Sequence, residues 1–402
     1  MRVDLLEEGF HEVIIAVIQM QIGEPNYSVH RFFVKFLGIA NHLLNGVEGY
    51  VNLRCLAKVP FPGRIAKYWD SFIESELGTL SGKQDRPGIL VVGSINTDYV
   101  VTADRLPVPG ESVVGTDFFQ AFGGKGANQA VGIARLGVSP VTFVAAIGDD
   151  EVGARGVASL RNENVDCRFV RVIPEIPSGV ALIMLDSNGE NCIVAAPGAN
   201  ARVDREYIET LDESVFINSA LVVVCQEVPL EAIELVLRRA AGHGVKTLLN
   251  PAPPHPGLRD AGILSGVNYL TPNETEVAAI LDPGNYRENH LGNHAAKVLA
   301  VEQLCELGAS NVAITMGAQG CFVFDCQLMN RPSDAVQVPA PRVNAVDTTA
   351  AGDAFNAAVA VGIYRQMTFL EACRWGNQVA AISVTRKGAQ PSLPRSTELL
   401  VD

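Results

Sequence analysis

The sequence predicts an α/β protein that has a central, mainly parallel sheet flanked by helices and a small β-sheet lid. From residue 88 onward, short apolar runs of strand length alternate with longer segments that have helical spacing. Two stretches interrupt this alternation with pairs of strands that have no helix between them. Alternating strands and helices imply parallel strands joined by crossovers, with helices on both faces of the sheet.

The strands of the main sheet are predicted from short apolar runs. They cover residues 89–92, 141–146, 221–224, 246–249, 269–270 and 312–315. Helices are predicted between them, notably over 126–136 and 230–241, and two long helices follow over 351–364 and 369–386. Ligands of open α/β sheets bind beyond the carboxyl ends of the strands, so we expect the site there.

The paired strands are predicted over 99–102 with 111–119, and over 180–185 with 191–195. The turn 186–189 reads Asp-Ser-Asn-Gly and carries the Asn-Gly signal of a β-hairpin. We interpret these strands as a separate small sheet that forms a lid over the site. The alternative is an edge extension of the main sheet.

Residues 1–86 lack the rhythm of the rest of the chain and end in a polar stretch that is typical of a linker. We therefore predict an N-terminal extension of unknown role, followed by one large domain over 87–402. The apolar run 13–20 is far shorter than the ~20 residues of a membrane span. Acidic residues precede it, whereas the first region of a signal peptide is basic.

Composition excludes several classes of partner and site. The formal net charge of −13 disfavours nucleic acid and anionic membranes as partners. The eight cysteines form no CxxC pair, and the seven histidines show no metal-ligand spacing. These features predict reduced thiols in a cytoplasmic protein, with nuclear entry left open, and neither a disulfide framework nor a zinc site.

The first motif that carries chemistry follows the first strand and reads Gly-Ser-Ile-Asn-Thr-Asp over 93–98. Asn96 and Asp98 have alternate spacing, so both side chains can face one way. An amide and a carboxylate together can bind vicinal hydroxyls. Taken alone, the motif is better explained by an ordinary Asx turn.

The second motif reads Gly-Gly-Lys-Gly-Ala-Asn over 123–128 and precedes a predicted helix. Glycines allow the backbone to approach a ligand closely, and the helix start offers N–H groups. The motif is not a Walker A loop, and it departs from the dinucleotide fingerprint at Gln129. A simple glycine turn would leave Lys125 and Asn128 without a role.

The third motif reads Asp-Thr-Thr-Ala-Ala-Gly-Asp over 347–353 and opens a long predicted helix. Small residues at a helix start leave backbone N–H groups exposed, and the helix dipole adds partial positive charge, which together favour an anion. A carboxylate at Asp353 can accept a proton from a hydroxyl beside that anion site. Helix capping alone would need only one such residue.

Three stretches carry a family resemblance: 121–131 reads AFGGKGANQAV, 271–276 reads TPNETE, and 384–392 reads VTRKGAQPS. Together with the third motif they resemble the PfkB carbohydrate kinase family, over about residues 89–394. The resemblance implies an α/β fold with a β-lid through which members commonly form homodimers. It implies ATP-dependent phosphorylation of a small sugar, and most closely of D-ribose at its 5-hydroxyl. It also implies Mg²⁺ with ATP, and K⁺ or a similar monovalent cation as activator.

The resemblance also implies a role for individual residues. The sugar would be bound by Asn96, Asp98, Gly124, Lys125, Asn128, Glu227 and Asp353. The catalytic base would be Asp353, and the anion hole would be formed by Ala351, Gly352 and Asp353. The nucleotide would be bound by Asn273, Thr315, Met316, Gly317, Ala318, Gln319, Gly320, Gly352, Asp353 and Asn377. Glu276 would hold Mg²⁺ through water, and K⁺ would be held by Asp347, Thr349, Ser383, Arg386, Gly388 and Ser392.

Alternative functions remain open at this point. One is a kinase for deoxyribose, another small sugar or a nucleoside; a nucleoside would need apolar or aromatic residues near the lid, such as Phe118 and Phe119. Another is a sugar-binding pseudokinase or regulator, against which the intact Asp353 argues. A dehydrogenase is excluded because the glycine fingerprint is incomplete.

Overall fold

The computed structural model describes residues 87–187, 191–259, 262–282, 284 and 291–399. The extension 1–86, with its apolar run 13–20, lies outside the described residues. So do positions 188 and 189 of the predicted Asn-Gly turn.

Thirteen strands occur in the described ranges. They are β1 (Gly88–Val92), β2 (Asn96–Thr102), β3 (Asp117–Gly123), β4 (Val141–Gly148), β5 (Val165–Ile173), β6 (Gly179–Leu185), β7 (Asn191–Ala196), β8 (Ser219–Cys225), β9 (Lys246–Asn250), β10 (Tyr269–Leu270), β11 (Asn311–Thr315), β12 (Cys321–Phe324) and β13 (Val336–Val338). The helices in the same ranges are α1 (Lys125–Arg135), α2 (Glu151–Asn162), α3 (Arg205–Thr210), α4 (Ser214–Ile217), α5 (Leu230–Gly242), α6 (Glu274–Leu281), α7 (His294–Glu306), α8 (Ala351–Tyr364) and α9 (Phe369–Ser383).

The main sheet has nine strands in the order β13-β12-β11-β10-β9-β8-β1-β4-β5. The seven strands β11, β10, β9, β8, β1, β4 and β5 are parallel to one another. The pairs β11–β12 and β12–β13 are antiparallel. Strand β1 is an interior strand, because Ile89 pairs with Val141 of β4 on one side and with Leu221 of β8 on the other. The mainly parallel sheet predicted from the alternation of strands and helices is confirmed.

Both faces of this sheet are buried, which explains why its strands are continuously apolar. Alternate residues of β1 enter different cores: Leu90 and Val92 pack in one, and Ile89 and Val91 in the other. The first core includes residues of α5 and α7, and the second includes residues of α1, α8 and α9. Helices α1 and α8 therefore share one face of the sheet, and their first turns reach the same edge.

The second sheet has four strands in the order β3-β2-β6-β7 and is separate from the main sheet. Strand β2 pairs antiparallel with β3 and parallel with β6, and β6 and β7 form the predicted hairpin pair. This arrangement confirms the small separate sheet and rules out an edge extension of the main sheet.

Three predicted boundaries were wrong. Strand β2 begins at Asn96 and not at residue 99, because its pairing with β3 and β6 continues to Gly123 and Gly179, and this places Asn96 and Asp98 on the lid. The partner of β2 covers Asp117–Gly123 and not 111–119, because Gly110 has a left-handed φ of 87° and the Glu111 carboxylate accepts hydrogen bonds from Arg105 and the Val108 amide, which holds a loop there. Helix α9 ends at Ser383 and not at residue 386, because the amides of Thr385 and Arg386 turn back onto the carbonyls of Ile382 and Ser383.

Two negative expectations concern the described part of the chain. None of its helices is long and apolar enough to cross a membrane. Its seven cysteines are all free thiols.

Candidate active site

Asp353 lies in the first turn of α8, at the carboxyl edge of the main sheet, and is 5% exposed. Its Oδ2 accepts a hydrogen bond from Nδ2 of Asn128 at 2.8 Å, and its Oδ1 accepts one from Nε2 of Gln129 at 3.1 Å. Burial raises the pKa of Asp353, while the charge of Lys125 and the two amide donors act in the opposite direction. A carboxylate held in this way can accept a proton from a hydroxyl.

The start of α8 leaves backbone donors free. Ala350, the residue before the helix, has a left-handed φ of 61°. The amide of Ala351 donates to the carbonyl of Thr348 at 3.2 Å, and among the described residues the amides of Gly352 and Asp353 have no acceptor. Gly352 is exposed, and a methyl group added at its Cα would meet no atom within 4 Å. An anion can therefore approach these two amides closely.

Strand β2 of the lid brings Asn96 and Asp98 to the same edge, and both are 7% exposed. Burial raises the pKa of Asp98 to about 7, with further contributions from the negative charges of Glu227 and Asp353, against the lowering effect of Lys125. Because the Asp98 carboxylate is poorly solvated, it has few hydrogen-bond donors around it. The hydroxyls of a bound sugar would supply such donors.

Glu227 follows β8 and connects the first two motifs. Its Oε2 accepts hydrogen bonds from the Ser94 hydroxyl, from the backbone amide of Lys125 at 3.0 Å and from Nδ2 of Asn96 at 3.5 Å. Burial lowers the pKa of Lys125, but the attraction of Asp353, Glu227 and then Glu276 outweighs it and raises the value to about 12. The ammonium group of Lys125 therefore stays charged among these carboxylates.

The glycines of the second motif are required by close packing. Gly124 has a left-handed φ of 90°, and a Cβ there would lie 2.7 Å from the amide nitrogen of Asn96. A Cβ on Gly123 would lie 2.2 Å from Oδ2 of Asp98. Any side chain at these positions would displace the predicted sugar-binding residues, so the glycines serve the site as well as the turn.

Residues predicted to bind the nucleotide lie on β11, its following loop and α6. Asn273 and Glu276 form a capping box: Glu276 accepts from the backbone amide and from Nδ2 of Asn273, both at 2.8 Å, and its own amide donates to Asn273 Oδ1 at 2.8 Å. Thr315 lies beside Asn273 through a β-bridge. The loop from Met316 to Gly320 is closed by a 2.8 Å hydrogen bond between its two ends and exposes Gly317, Ala318 and Gln319.

Asn377, also predicted near the nucleotide, has a structural task. It is 6% exposed on α9, and its Nδ2 donates to the carbonyls of Val338 at 3.0 Å and Pro339 at 3.4 Å. Its side chain therefore joins α9 to the end of β13, at the border of the predicted nucleotide site.

The residues predicted to hold a monovalent cation lie on two segments, 347–349 and 383–392, that the fold brings together. Asp347 accepts hydrogen bonds from the amide of Thr349 at 2.9 Å and from the amide of Gly388 at 2.8 Å. The hydroxyls of Ser383 and Ser392 lie 2.9 Å apart, and both residues are fully buried. The guanidinium of Arg386 donates to Oε1 of Glu398 at 2.6 Å, so this side chain is paired with a residue outside the predicted set.

The sequence analysis missed three residues that the fold adds to the site. Asn200 is 1% exposed; its amide group bonds the backbone of Ile95 in both directions and donates to Asn96 Oδ1 at 2.8 Å. Gln129 and Asn250 lie beside Asp353. Asn200 belongs to no sequence motif or periodic pattern that could predict its role. Gln129 directly follows the second motif, where its only sequence signal is the departure from the dinucleotide fingerprint.

The two lid phenylalanines face opposite ways. Phe118 pairs with Val101 in the sheet and stacks on Tyr99 with ring centroids 6.4 Å apart, on the outer face. Phe119 pairs with Val100, so it lies on the face that carries Asp98. Of the two, only Phe119 is on the side where a nucleoside base would need an apolar contact.

Comparison with known proteins identifies the family. The profile of the pfkB family of carbohydrate kinases matches residues 86–396, which is most of the chain. The protein belongs to the PfkB family. It is therefore a carbohydrate kinase by family, and its two sheets are the central sheet and the lid of that fold.

Several relatives of this PfkB protein are ribokinases. It is 37% identical over 315 residues to a ribokinase of Haemophilus influenzae, covering 78% of this chain and 98% of the relative. It is 34% identical to the ribokinase of Mus musculus, covering 79% of this chain and 95% of the relative. A deoxyribokinase of Salmonella typhi is 33% identical, at 76% and 95% coverage.

Solved structures give the same result. The ribokinase of Thermotoga maritima superposes with a TM-score of 0.67 at 32% identity, covering 78% of this chain and 97% of that one. The ribokinase of Arabidopsis thaliana, solved with ribose and ATP, superposes with a TM-score of 0.66 at 29% identity and the same coverage. The predicted ribokinase-like fold is confirmed.

Proposed function

We propose that this chain transfers the γ-phosphoryl group of ATP to the 5-hydroxyl of D-ribose, which gives D-ribose 5-phosphate and ADP. The observation that carries the proposal is the position of Asp353, a buried carboxylate next to two free amides and among the sugar-facing groups Asp98 and Asn128. A proton acceptor and an anion site share one helix turn there. Phosphoryl transfer to an alcohol needs both.

In this reaction the 5-hydroxyl lies against Asp353, which takes its proton as the new O–P bond forms. The bond between the γ-phosphorus and its bridging oxygen breaks, and ADP leaves. The amides of Gly352 and Asp353 donate hydrogen bonds to oxygens of the transferring group. Asn96, Asp98, Gly124, Lys125, Asn128 and Glu227 hold the sugar.

Magnesium fits this site through water. In the described residues no group of three or more His, Cys, Asp or Glu side chains is arranged to hold a metal ion directly. Mg²⁺ usually keeps several of its waters and binds the phosphates of its nucleotide, so one carboxylate suffices. Glu276, whose two oxygens have lone pairs beyond those used by Asn273, would accept hydrogen bonds from such waters.

A monovalent cation would lie between the segments 347–349 and 383–392. Two observations support this position. Asp347 accepts hydrogen bonds from an amide of each segment, and it is only a few residues before the first turn of α8. An ion there would favour the loop shape that aims the amides of Gly352 and Asp353, without contacting the substrate.

The lid supports a homodimer. Its outer face exposes Phe118 (59%), Leu182 (56%) and Val194 (63%), and the strand register places all three on the side opposite Asp98. Contiguous exposed apolar residues on a sheet mark a protein interface. A second copy of the chain could bind this face, because a two-fold axis would place the same apolar face of both copies in contact.

Residues 87–402 form the kinase domain in this proposal, and residues 1–86 form an extension that precedes it. The deoxyribokinase among the relatives favours 2-deoxyribose as the second candidate substrate. Nothing in the described lid supplies an aromatic cage for a base beyond Phe119, so nucleosides rank lower.

A substrate panel tests the proposal. ADP release is measured with D-ribose, 2-deoxyribose, other pentoses and nucleosides, and the phosphorylated carbon is located by NMR. Ribose is expected to have the highest kcat/KM, with phosphate on C5. A higher kcat/KM for a nucleoside or for deoxyribose would replace ribose as the substrate, and no ADP release with any acceptor would indicate a binding protein.

A further inference from the structure

Gln129 is the fifth residue of α1 and is fully buried, and the proposed reaction makes no use of it. Its Nε2 has two acceptors: Oδ1 of Asp353 at 3.1 Å and Oδ1 of Asn250 at 3.0 Å. A buried amide that places both hydrogens of its nitrogen on two separate side chains is tightly oriented. Because a carboxylate can only accept, Nε2 and not Oε1 must face Asp353.

The hydrogen bonds continue from Asn250 around the start of α8. Nδ2 of Asn250 donates to the carbonyl of Thr271 at 3.4 Å. The Thr271 hydroxyl donates to Oδ1 of Asn356 at 2.5 Å, and Nδ2 of Asn356 donates to the carbonyl of Gly352 at 2.8 Å. This series of contacts thus begins at the carboxylate of Asp353 and ends at Gly352, the residue before Asp353 in α8.

All four side chains of this ring are buried, with exposures of 0% for Gln129, 6% for Asn250, 1% for Thr271 and 2% for Asn356. The orientation of each side-chain amide is set by its neighbours. When the oxygen of an amide accepts a hydrogen bond from one neighbour, its nitrogen must point to the next partner. In a poorly solvated site such bonds strengthen one another, and a broken one leaves polar groups unpaired. The three amides of the ring therefore have one favourable orientation each, whereas the Thr271 hydroxyl also lies 3.2 Å from a second acceptor, the carbonyl of Leu249.

We propose that Gln129 is a positioning residue, which holds Oδ1 of Asp353 and couples the base to the helix turn that presents the amides of Gly352 and Asp353. This rests on the proposed function, in which Asp353 is the base. Each carboxylate oxygen has two acceptor sites, so Asn128 and Gln129 leave lone pairs for the hydroxyl of the substrate. Gln129 itself need not contact the sugar.

The donor from Gln129 favours the ionised form of Asp353, so its removal should raise the pKa of the base. Other charged or titratable groups that act on this carboxylate stay in place in such a variant: Lys125 on α1, Asp98 on β2, Cys225 and Glu227 at the end of β8, and Glu276 on α6. Because the base works when ionised, the acidic limb of the kcat profile should move to higher pH.

The test is Gln129→Met, which keeps the length of the side chain and removes both donors. We expect kcat to fall about 10- to 100-fold at neutral pH, as for the loss of a hydrogen bond to a charged group. The acidic limb should move to higher pH, while KM for ribose changes less than about threefold, since no sugar contact is lost. Gln129→Ala serves if the methionine variant does not fold.

Thr271→Val is the matched control, because it breaks the ring without touching the donors to Asp353. It should lower kcat less and leave the acidic limb in place. An acidic limb that is unchanged in both Gln129 variants, or a loss confined to KM, overturns the positioning role. That result differs from failure of the proposed function, in which Asp353→Asn itself would retain activity.

Discussion

Asn128 and Asp353 are 225 positions apart in the chain, yet Nδ2 of Asn128 lies 2.8 Å from Oδ2 of Asp353. The first residue belongs to the glycine motif at the start of α1, and the second to the motif at the start of α8. Both helices pack on the same face of the sheet, so the two motifs meet at its carboxyl edge. The site is built where the two motifs meet.

Asp353→Asn tests the base. The amide keeps the shape of the side chain but cannot take a proton, so kcat should fall about 10²- to 10⁴-fold, the usual contribution of a positioned base. Ribose binding measured by calorimetry should be largely retained. Asp212→Asn, at an exposed position between α3 and α4, is the control and should keep full activity. A near wild-type kcat for Asp353→Asn would show that Asp353 is not the base.

Asp98→Asn tests the sugar contact. The substitution leaves a hydroxyl of the sugar without its charged acceptor, which costs on the order of 2 kcal/mol or more in a buried site. The value of kcat/KM for ribose should collapse, whereas ATP binding by calorimetry should change little. Equal losses for both ligands would mean that Asp98 acts on the fold and not on the sugar.

The same residue predicts a pH effect on stability. The pKa of Asp98 is raised from 3.8 to about 7, so between these values the folded state binds the extra proton. The free energy of unfolding must then fall as pH rises from about 4 through about 7. Asp98→Asn removes this term, so at pH 8 the variant should unfold at a higher temperature than the wild type. Equal melting temperatures at pH 8 would contradict the raised pKa.

Gly352→Ala separates folding from catalysis. The added methyl meets no atom within 4 Å in the protein, and alanine favours a helix over glycine by about 0.5–1 kcal/mol. The melting temperature should stay the same or rise, yet kcat should fall because the methyl lies where the phosphoryl group approaches the amides. Gly242→Ala, at the end of α5 with equally open surroundings, is the matched control and should keep full activity. An active Gly352→Ala enzyme would place the anion elsewhere.

Activation by monovalent cations tests the segments around Asp347. At matched ionic strength, K⁺ should raise activity more than Na⁺, because a larger ion suits carbonyl oxygens held apart by the fold. Matching is needed because screening alone changes nucleotide binding to an acidic protein. Asp347→Ala should reduce the response to K⁺, while Asp212→Asn should not. Equal rates in K⁺, Na⁺ and a bulky organic cation would remove all six residues from the proposed site.

The lid face predicts the oligomeric state. Replacement of Leu182 and Val194 by glutamate places charges on the proposed two-fold interface, so the particle should become a monomer in sedimentation experiments. Leu328→Glu alters a residue of similar exposure, 54%, away from the lid and should leave the mass unchanged. A wild-type protein that sediments as a monomer would refute the homodimer.

The fold class, six strands of the main sheet and the separate lid could be predicted from the sequence, because each depends on local patterns. A strand buried on both faces must be apolar throughout, as β1 and β8 are, and a hairpin needs no helix between its strands. The boundary of β3 could not be predicted. It depends on a contact between Arg105 and Glu111 that stops pairing, and such a contact has no periodicity.

The motifs predicted which residue types the chemistry would use, and they indicated the family to which the chain belongs. Only the tertiary structure decided which of them touch. In the fold, the side chain of Asn377 donates to the backbone of Val338, and the amide of Ala351 donates to the carbonyl of Thr348. The fold also adds Asn200 and Asn250 to the site. The physical reason is that an isolated Asn or Gln has no local signature, whereas a buried amide must find a partner, and that partner is supplied by whichever distant strand or helix the fold brings beside it.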